Sequence, residues 1–126
     1  MNRFLFDTNI LLWYFWDYER INSIKELIAS GATEIFYSPV SLWEIATKIR
    51  NGKLKFNFEE LYNYVQKYGF IELPLTSGCL KTYLELSKIH KDPFDHMLLA
   101  QALAFPMRFI TGDSLLADYS SLVMVV

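Results

Sequence analysis

Cysteine occurs once, at Cys79, and histidine twice in 126 residues. One cysteine excludes an internal disulfide and any zinc site built on cysteines. Cys79 therefore reads as a small core or half-buried residue. The longest apolar run, 10–16, has seven residues, far too few to cross a membrane. The start, Met-Asn-Arg-Phe-Leu-Phe-Asp, lacks the charged and apolar stretches of a signal peptide, so the expected location is cytoplasmic. Positive charge is also scarce: the net charge is −2 and the sequence pI about 5.6. That excludes a generic nucleic-acid-coating protein, which is basic, though not an enzyme that meets a nucleic acid through a few local contacts or metal ions. No repeat, low-complexity tract or linker interrupts the chain. No P-loop, GxGxxG or zinc spacing occurs, and neither His90 nor His96 stands in a recognisable motif with a nucleophilic Ser or Cys.

What is abundant is apolar and aromatic: 52% hydrophobic and 17% aromatic residues, enough for one real core in a single domain over 1–126. Short apolar runs alternate with helical stretches. Phe4-Leu5-Phe6 reads as a strand buried on both faces and ended by Asp7. Helices are expected over 9–16 and over 22–30, the second stopped by Gly31. A strand follows over 34–37. Ser38-Pro39 then supplies an N-cap and a proline at the first helical position, opening a helix that ends near Arg50 at Asn51-Gly52. The remaining expectations are a helix over 58–67, a strand over 70–73 and a helix over 77–88. Next come a helix from Asp92-Pro93 to Ala104, a strand over 108–111, a helical turn over 115–117 and a strand over 122–126. Such alternation predicts an α/β fold with a mainly parallel sheet and helices on both faces. Sites in open sheets of this kind lie beyond the carboxyl ends of the strands.

Four acids fall on that edge. Asp7 ends the first strand. Glu44 lies in the first turns of the helix after the second. Asp95 lies in the first turn of the helix opened by Asp92. Asp113 follows the strand over 108–111 by one glycine. Each also has a plain structural reading. Asp7 serves equally as a turn residue or N-cap, and Asp113 likewise. Asp92 with Pro93 and Asp95 resembles a capping box, which suits Asp92 better than the short Asp95. Asp95 shares the apolar face with Leu98, Leu99 and Ala102. Glu44 lies nearly opposite the stripe Leu42, Ile45, Ala46 and Ile49, where periodicity alone makes it a solvated acid or the i,i+4 partner of Lys48. Neighbouring Val40 and Trp43 argue against full solvation. Two carboxylates about 4 Å apart repel by roughly 4 kcal/mol at an effective dielectric near 20. Converging acids therefore need protons or cations, and an all-oxygen donor set suits Mg²⁺ or Mn²⁺.

Four stretches in order, FLFDTNILLW at 4–13, SPVSLWEIATKIRNGKL at 38–54, HKDPFDHMLLAQA at 90–102 and FITGDSLLADY at 109–119, give the chain its resemblance. It resembles the PIN-domain proteins, and among them the VapC ribonuclease toxins of type II toxin–antitoxin systems. The resemblance implies a three-layer α/β/α sandwich around a central, mainly parallel sheet. It implies an endoribonuclease dependent on Mg²⁺ or Mn²⁺, in which water attacks a phosphodiester in line and the 3′-oxygen leaves. By matching position, the catalytic and metal-ligating acids are Asp7, Glu44, Asp95 and Asp113, with Asp7 and Asp95 the firmest ligands and Glu44 acting directly or through water. Thr8, Thr111 and Ser41 are the supporting hydroxyls. One departure stands out: His96 occupies a position where such chains commonly carry arginine. Its plain reading is a helix-face pair with Asp92. Asp7-Thr8-Asn9 also lacks the second acid of a DxD phosphatase strand end.

The one basic cluster surrounds Asn51-Gly52, with Lys48, Arg50, Lys53 and Lys55. It has two readings, a charge complement to the helix C-terminus and a rim that contacts RNA phosphates. The aromatic run over 13–18 is read either as core packing or as a groove for a partner. The resemblance implies a VapB-like antitoxin that wraps the toxin and inserts a basic side chain near the acids. It also implies a homodimer, within a toxin–antitoxin hetero-oligomer. A rival of another class is a catalytically inactive PIN-fold module that binds RNA or protein; the complete acid set separates the two.

Overall fold

The computed structural model describes residues 2–87 and 92–126. His90 and the last residue of the helix expected over 77–88 lie outside the described residues. Five strands, β1 (Asn2–Phe6), β2 (Thr33–Tyr37), β3 (Ile71–Glu72), β4 (Arg108–Thr111) and β5 (Val123–Val125), form one sheet in the order β3-β2-β1-β4-β5. Every pairing is parallel. The strand order reverses between β1 and β4, so a crevice opens beyond their carboxyl ends.

The central strand shows why the sheet is buried on both sides. Side chains alternate across a strand. Phe4 and Phe6 enter one core with Ile10, Leu11, Leu61 and Val65. Leu5 enters the other with Leu98, Leu99 and Phe109. Each such side chain, fully withdrawn from water, stabilises the fold by about 2 kcal/mol. Helices α1 (Thr8–Trp16), α2 (Lys25–Ile28) and α4 (Phe58–Lys67) cover the first face. Helices α5 (Ser77–Glu85) and α6 (Pro93–Ala104) lie with the second. Helix α3 (Pro39–Arg50) sends Ile45 into the first core and Val40 into the second. It thereby bridges α1 and α6 beside the crevice. The parallel sheet with helices on both faces expected from the alternation, and the three-layer α/β/α sandwich implied by the resemblance, are the fold observed.

Local signals set the helix starts. Asp7 Oδ1 accepts from Ile10 N at 2.8 Å. Ser38 Oγ accepts from Val40 N at 3.0 Å, ahead of Pro39. Asn57 Oδ1 accepts from Glu60 N at 3.1 Å. Asp92 Oδ1 accepts from Phe94 N at 2.9 Å and Asp95 N at 3.4 Å. Each satisfies a donor that the helix leaves unpaired. Past α3, Gly52 has φ +72, a turn that favours a residue without Cβ.

Several boundaries differ from expectation. The helix expected over 22–30 is a 3₁₀ segment, Tyr18–Ile24, followed by the single turn of α2. Ile21 departs from helical geometry there (φ −109, ψ 22) while its side chain, with Ile24 and Ile28, is anchored in the core. Strand β3 is two residues rather than four: the Phe70 N–H goes to Val65 O at the end of α4 at 3.0 Å, and its partner β2 gives way at Ser38 to the cap of α3, although Leu73 N still donates to Tyr37 O at 2.8 Å. Helix α5 stops at Glu85, and Leu86 is extended (φ −73, ψ 135). The turn expected over 115–117 is a 3₁₀ segment, Ser114–Tyr119, and β5 is shorter than 122–126. Cys79 is fully buried and unpaired.

Candidate active site

Asp7 is the last residue before α1, and its backbone N–H donates to Ile110 O at 3.0 Å, fixing the end of β1 against β4. Its carboxylate is buried and doubly engaged. Oδ1 takes the Ile10 N–H, and Oδ2 takes the Thr111 hydroxyl at 2.6 Å. Burial pushes the Asp7 carboxyl up to about 6; the bonds from Thr111, Ile10 and Gly112 oppose that rise, and the charge of Glu44 adds to it. Asp7 is thus the cap of α1, and each of its oxygens keeps a further lone pair beyond these bonds.

Glu44 is buried, against the wheel-based expectation of a solvated acid. The reason is tertiary: α3 lies against α1, and Thr8 Oγ1 donates to Glu44 Oε1 at 2.6 Å while also lying 3.1 Å from Ser41 Oγ. Lys48 Nζ sits 3.0 Å from Glu44 Oε2. The neighbouring Trp43 is 63% exposed and packs edge-on against Phe94 at 4.9 Å.

Asp95 occupies the first turn of α6, and among the described residues its carboxylate accepts no hydrogen bond. Burial first, then the charges of Asp92, Asp7, Glu44 and Asp113, push it up to about 8. Acids from the end of β1, from α3, from α6 and from the turn after β4 therefore share one field. The capping box divides as anticipated, with Asp92 doing the capping.

Asp113 is half-buried and caps the 3₁₀ segment through Leu115 N at 3.0 Å. Its own N–H donates to Thr111 Oγ1 at 3.1 Å. The Thr111 hydroxyl therefore links Asp113 to Asp7. Between them stands Gly112, where an added Cβ would come within 3.0 Å of the Trp13 ring. Arg50 and Lys53 are exposed, away from such bonds. Lys48, grouped with them by sequence, has its ammonium on Glu44 instead.

His96 is buried at 6% exposure. Its ring lies edge-on to Tyr83 and Tyr119, and Nε2 is 3.2 Å from the Tyr119 hydroxyl. Tyr119 also donates to Ser87 O at 2.6 Å. The described ring contacts thus tie α6 to the segment that Asp113 opens, a link no sequence spacing signals. The aromatic run divides. Trp13, Tyr14 and Phe15 pack against the core, while Trp16 and Tyr18 are partly exposed. Sequence reading also missed an apolar groove between α3, α5 and α6, about 510 Å³, lined by Val40, Trp43, Leu80, Leu84, Phe94 and Met97 among others. Its signal was the Leu80–Leu84 stripe, which faces outward rather than into the core.

The donor set is all oxygen, mostly buried and mutually repelling, which is the chemistry a hard divalent cation answers. Among the described residues no three acid, His or Cys side chains already stand in a ligating arrangement. The fit is one of donor type and charge. Among the described residues no helix is long and apolar enough to cross a membrane.

The PIN domain family profile matches residues 4–122. No curated relative matches in sequence. Three solved structures share the fold. One is a chain of VapBC2 from Rickettsia felis bound to a DNA fragment from their promoter, with 15% identity, TM-score 0.72, and 98% of this chain and 97% of that one covered. Another is a chain of a toxin–antitoxin complex from Klebsiella pneumoniae, with 19% identity, TM-score 0.65, and 96% and 95% covered. The third is a chain of VapBC-1 from nontypeable Haemophilus influenzae, with 12% identity, TM-score 0.70, and 98% and 96% covered. At these identities the likeness is one of fold. The profile spans nearly the whole chain, and on that ground this protein belongs to the PIN domain family.

Proposed function

We propose that the chain is a VapC-like endoribonuclease, dependent on Mg²⁺ or Mn²⁺, and the toxin of a type II toxin–antitoxin pair. The observation that carries this is the shared field of Asp7, Glu44, Asp95 and Asp113 at the point where the strand order reverses, with the Asp95 carboxylate accepting no hydrogen bond among the described residues. Hydrogen bonds to Asp7 and Glu44 and the Lys48 ammonium relieve the repulsion only in part, and an inert scaffold has no need to gather four acids in this way. Family membership and the likeness to chains of three toxin–antitoxin complexes support the same reading.

Asp7 and Asp95 would hold the ion, with Asp113 beside them and Glu44 directly or through water. When bound, the ion supplies neutralising charge, acidifies water and polarises the phosphate. The protein's own contribution is orientation. Thr111 fixes one oxygen of Asp7, Thr8 fixes one oxygen of Glu44, and Ser41 backs Thr8. The acids accept the proton of the water that attacks the phosphodiester in line, and the 3′-oxygen departs. No side chain acts as a covalent nucleophile. Arg50 and Lys53 form the rim that holds RNA phosphates, which an acidic pocket by itself would repel.

A VapB-like antitoxin is the expected protein partner. A homodimer belongs to the same proposal; the apolar groove between α3, α5 and α6, with Trp43 and Leu84 63% and 83% exposed, is a surface of the kind that a protein partner covers. The test is RNA cleavage by the purified chain, free of any partner, with Mg²⁺ or Mn²⁺. Cleavage that is lost in Asp7→Asn and Asp95→Asn supports the proposal. Intact RNA with the wild type, or undiminished cleavage by the variants, rejects it and leaves the inactive binding module as the reading.

A further inference from the structure

Glu44 and Asp95 differ in one respect that repulsion among acids does not explain. Asp95 accepts no hydrogen bond among the described residues, whereas both oxygens of Glu44 are taken. Thr8 holds Oε1 at 2.6 Å and Lys48 holds Oε2 at 3.0 Å. The pair runs Glu to Lys at i,i+4, the favourable direction on a helix. It is not an ordinary surface pair. The Glu44 side chain is 8% exposed and that of Lys48 49%, so the ammonium reaches from solvent into the edge of the acid cluster along its own alkyl stem.

We propose that Lys48 is a positioning residue, a built-in counter-cation that holds Glu44 against Thr8 and sets how tightly the acid cluster takes a divalent ion. The proposal rests on the metal-dependent reading above. Lys48 and an incoming ion compete for the same carboxylate charge. Each Glu44 oxygen keeps a second lone pair, so Glu44 can serve the ion directly or through water, but with the Lys48 charge beside it its hold on the ion is weaker. A flexible, strongly hydrated ammonium suits this role because it can swing outward at little cost. The consequence is an affinity held down by the protein's own charge.

Mn²⁺ binding to the metal-stripped full chain, followed by calorimetry and by the Mn²⁺ spin-resonance signal, tests this. Lys48→Met keeps the stem and removes the charge. It is expected to bind Mn²⁺ about tenfold more tightly, as when a unit charge near a divalent ion is removed from a site open to water. Lys48→Arg keeps the charge and is expected to bind as the wild type does. Lys81→Met, an exposed charge on α5 outside the pair, is expected to leave Mn²⁺ affinity unchanged. Equal or weaker binding by Lys48→Met, with the wild type binding Mn²⁺ and Asp95→Asn not, overturns the role of Lys48 alone. No Mn²⁺ binding by the wild type or by Lys48→Met overturns both this role and the metal-dependent reading.

Discussion

The Thr111 hydroxyl donates to Oδ2 of Asp7 at 2.6 Å, joining residues 104 positions apart. The same hydroxyl oxygen accepts the Asp113 N–H. Both groups are buried or nearly so, and a hydrogen bond to a charged acceptor is worth about 1.5–3 kcal/mol. Thr111→Val, equal in shape but without the donor, is expected to lower stability by about that amount and to raise the Asp7 carboxyl further. Thr111→Ser should restore most of it. Urea denaturation of the three proteins decides; equal midpoints for Val and Thr would show that the bond contributes nothing.

Acid should stabilise the metal-free protein. Asp7 and Asp95 are both raised in the folded state, to about 6 and about 8, from an unfolded value near 3.9. The native state therefore binds more protons than the unfolded chain in between. Their contribution is fully present below about pH 4 and is lost as pH rises through about 6 and then about 8. In EDTA the melting temperature should fall across that window, and Mn²⁺ should recover most of the loss at the alkaline end. A flat or rising melting curve in EDTA would contradict the two shifts.

Asp95→Asn should separate stability from activity. The amide removes a charge that four neighbouring acids and burial oppose. The metal-free variant should melt several degrees above the wild type at about pH 8, a shift equal to about 1–2 kcal/mol in a domain of this size. Its RNA cleavage should fall by at least about 100-fold. Thermal unfolding and a cleavage time course on one preparation test both halves.

Gly112→Ala should strain the site from behind. The new methyl would lie 3.0 Å from the Trp13 ring, which is half-buried against the core, and overpacking of this kind costs about 1–3 kcal/mol. Trp13→Phe in the same chain should recover part of the loss by shortening the ring. Denaturation midpoints that do not differ between the single and double variants would place the strain elsewhere.

Arg50→Met and Lys53→Met should weaken RNA binding without altering metal affinity. For every phosphate no longer neutralised, the slope of log affinity against log salt should become shallower by about 0.7 for a single strand. Binding to an uncleavable RNA in EDTA across a salt series measures this, and unchanged slopes would remove both residues from the rim.

Much of the fold is legible because its signals are local. The caps at Asp7, Ser38 and Asp92 act over two or three residues, and Pro39 and Pro93 follow directly in two of them. The region after Trp16 was not legible: Ile21, Ile24 and Ile28 mimic a helical stripe, yet the core takes them from a 3₁₀ segment and the short turn after it. Leu80 and Leu84 stand outward on α5, and periodicity shows that a face exists but not whether anything covers it.

By itself the sequence determined the alternation of strands and helices, the capping residues and the positions of four acids just past strand ends or helix starts. Those depend on neighbours close along the chain. Only the tertiary structure decided that Glu44 is buried rather than solvated, that Lys48 serves Glu44 before any RNA, and that His96 faces Tyr119. Burial and charge act through space, and the partners here lie 23 to 104 positions apart, apart from Lys48 at four. For Lys48 even the right spacing was insufficient, because the strength of an ion pair is set by the dielectric around it, and that is fixed only when α3 closes on α1.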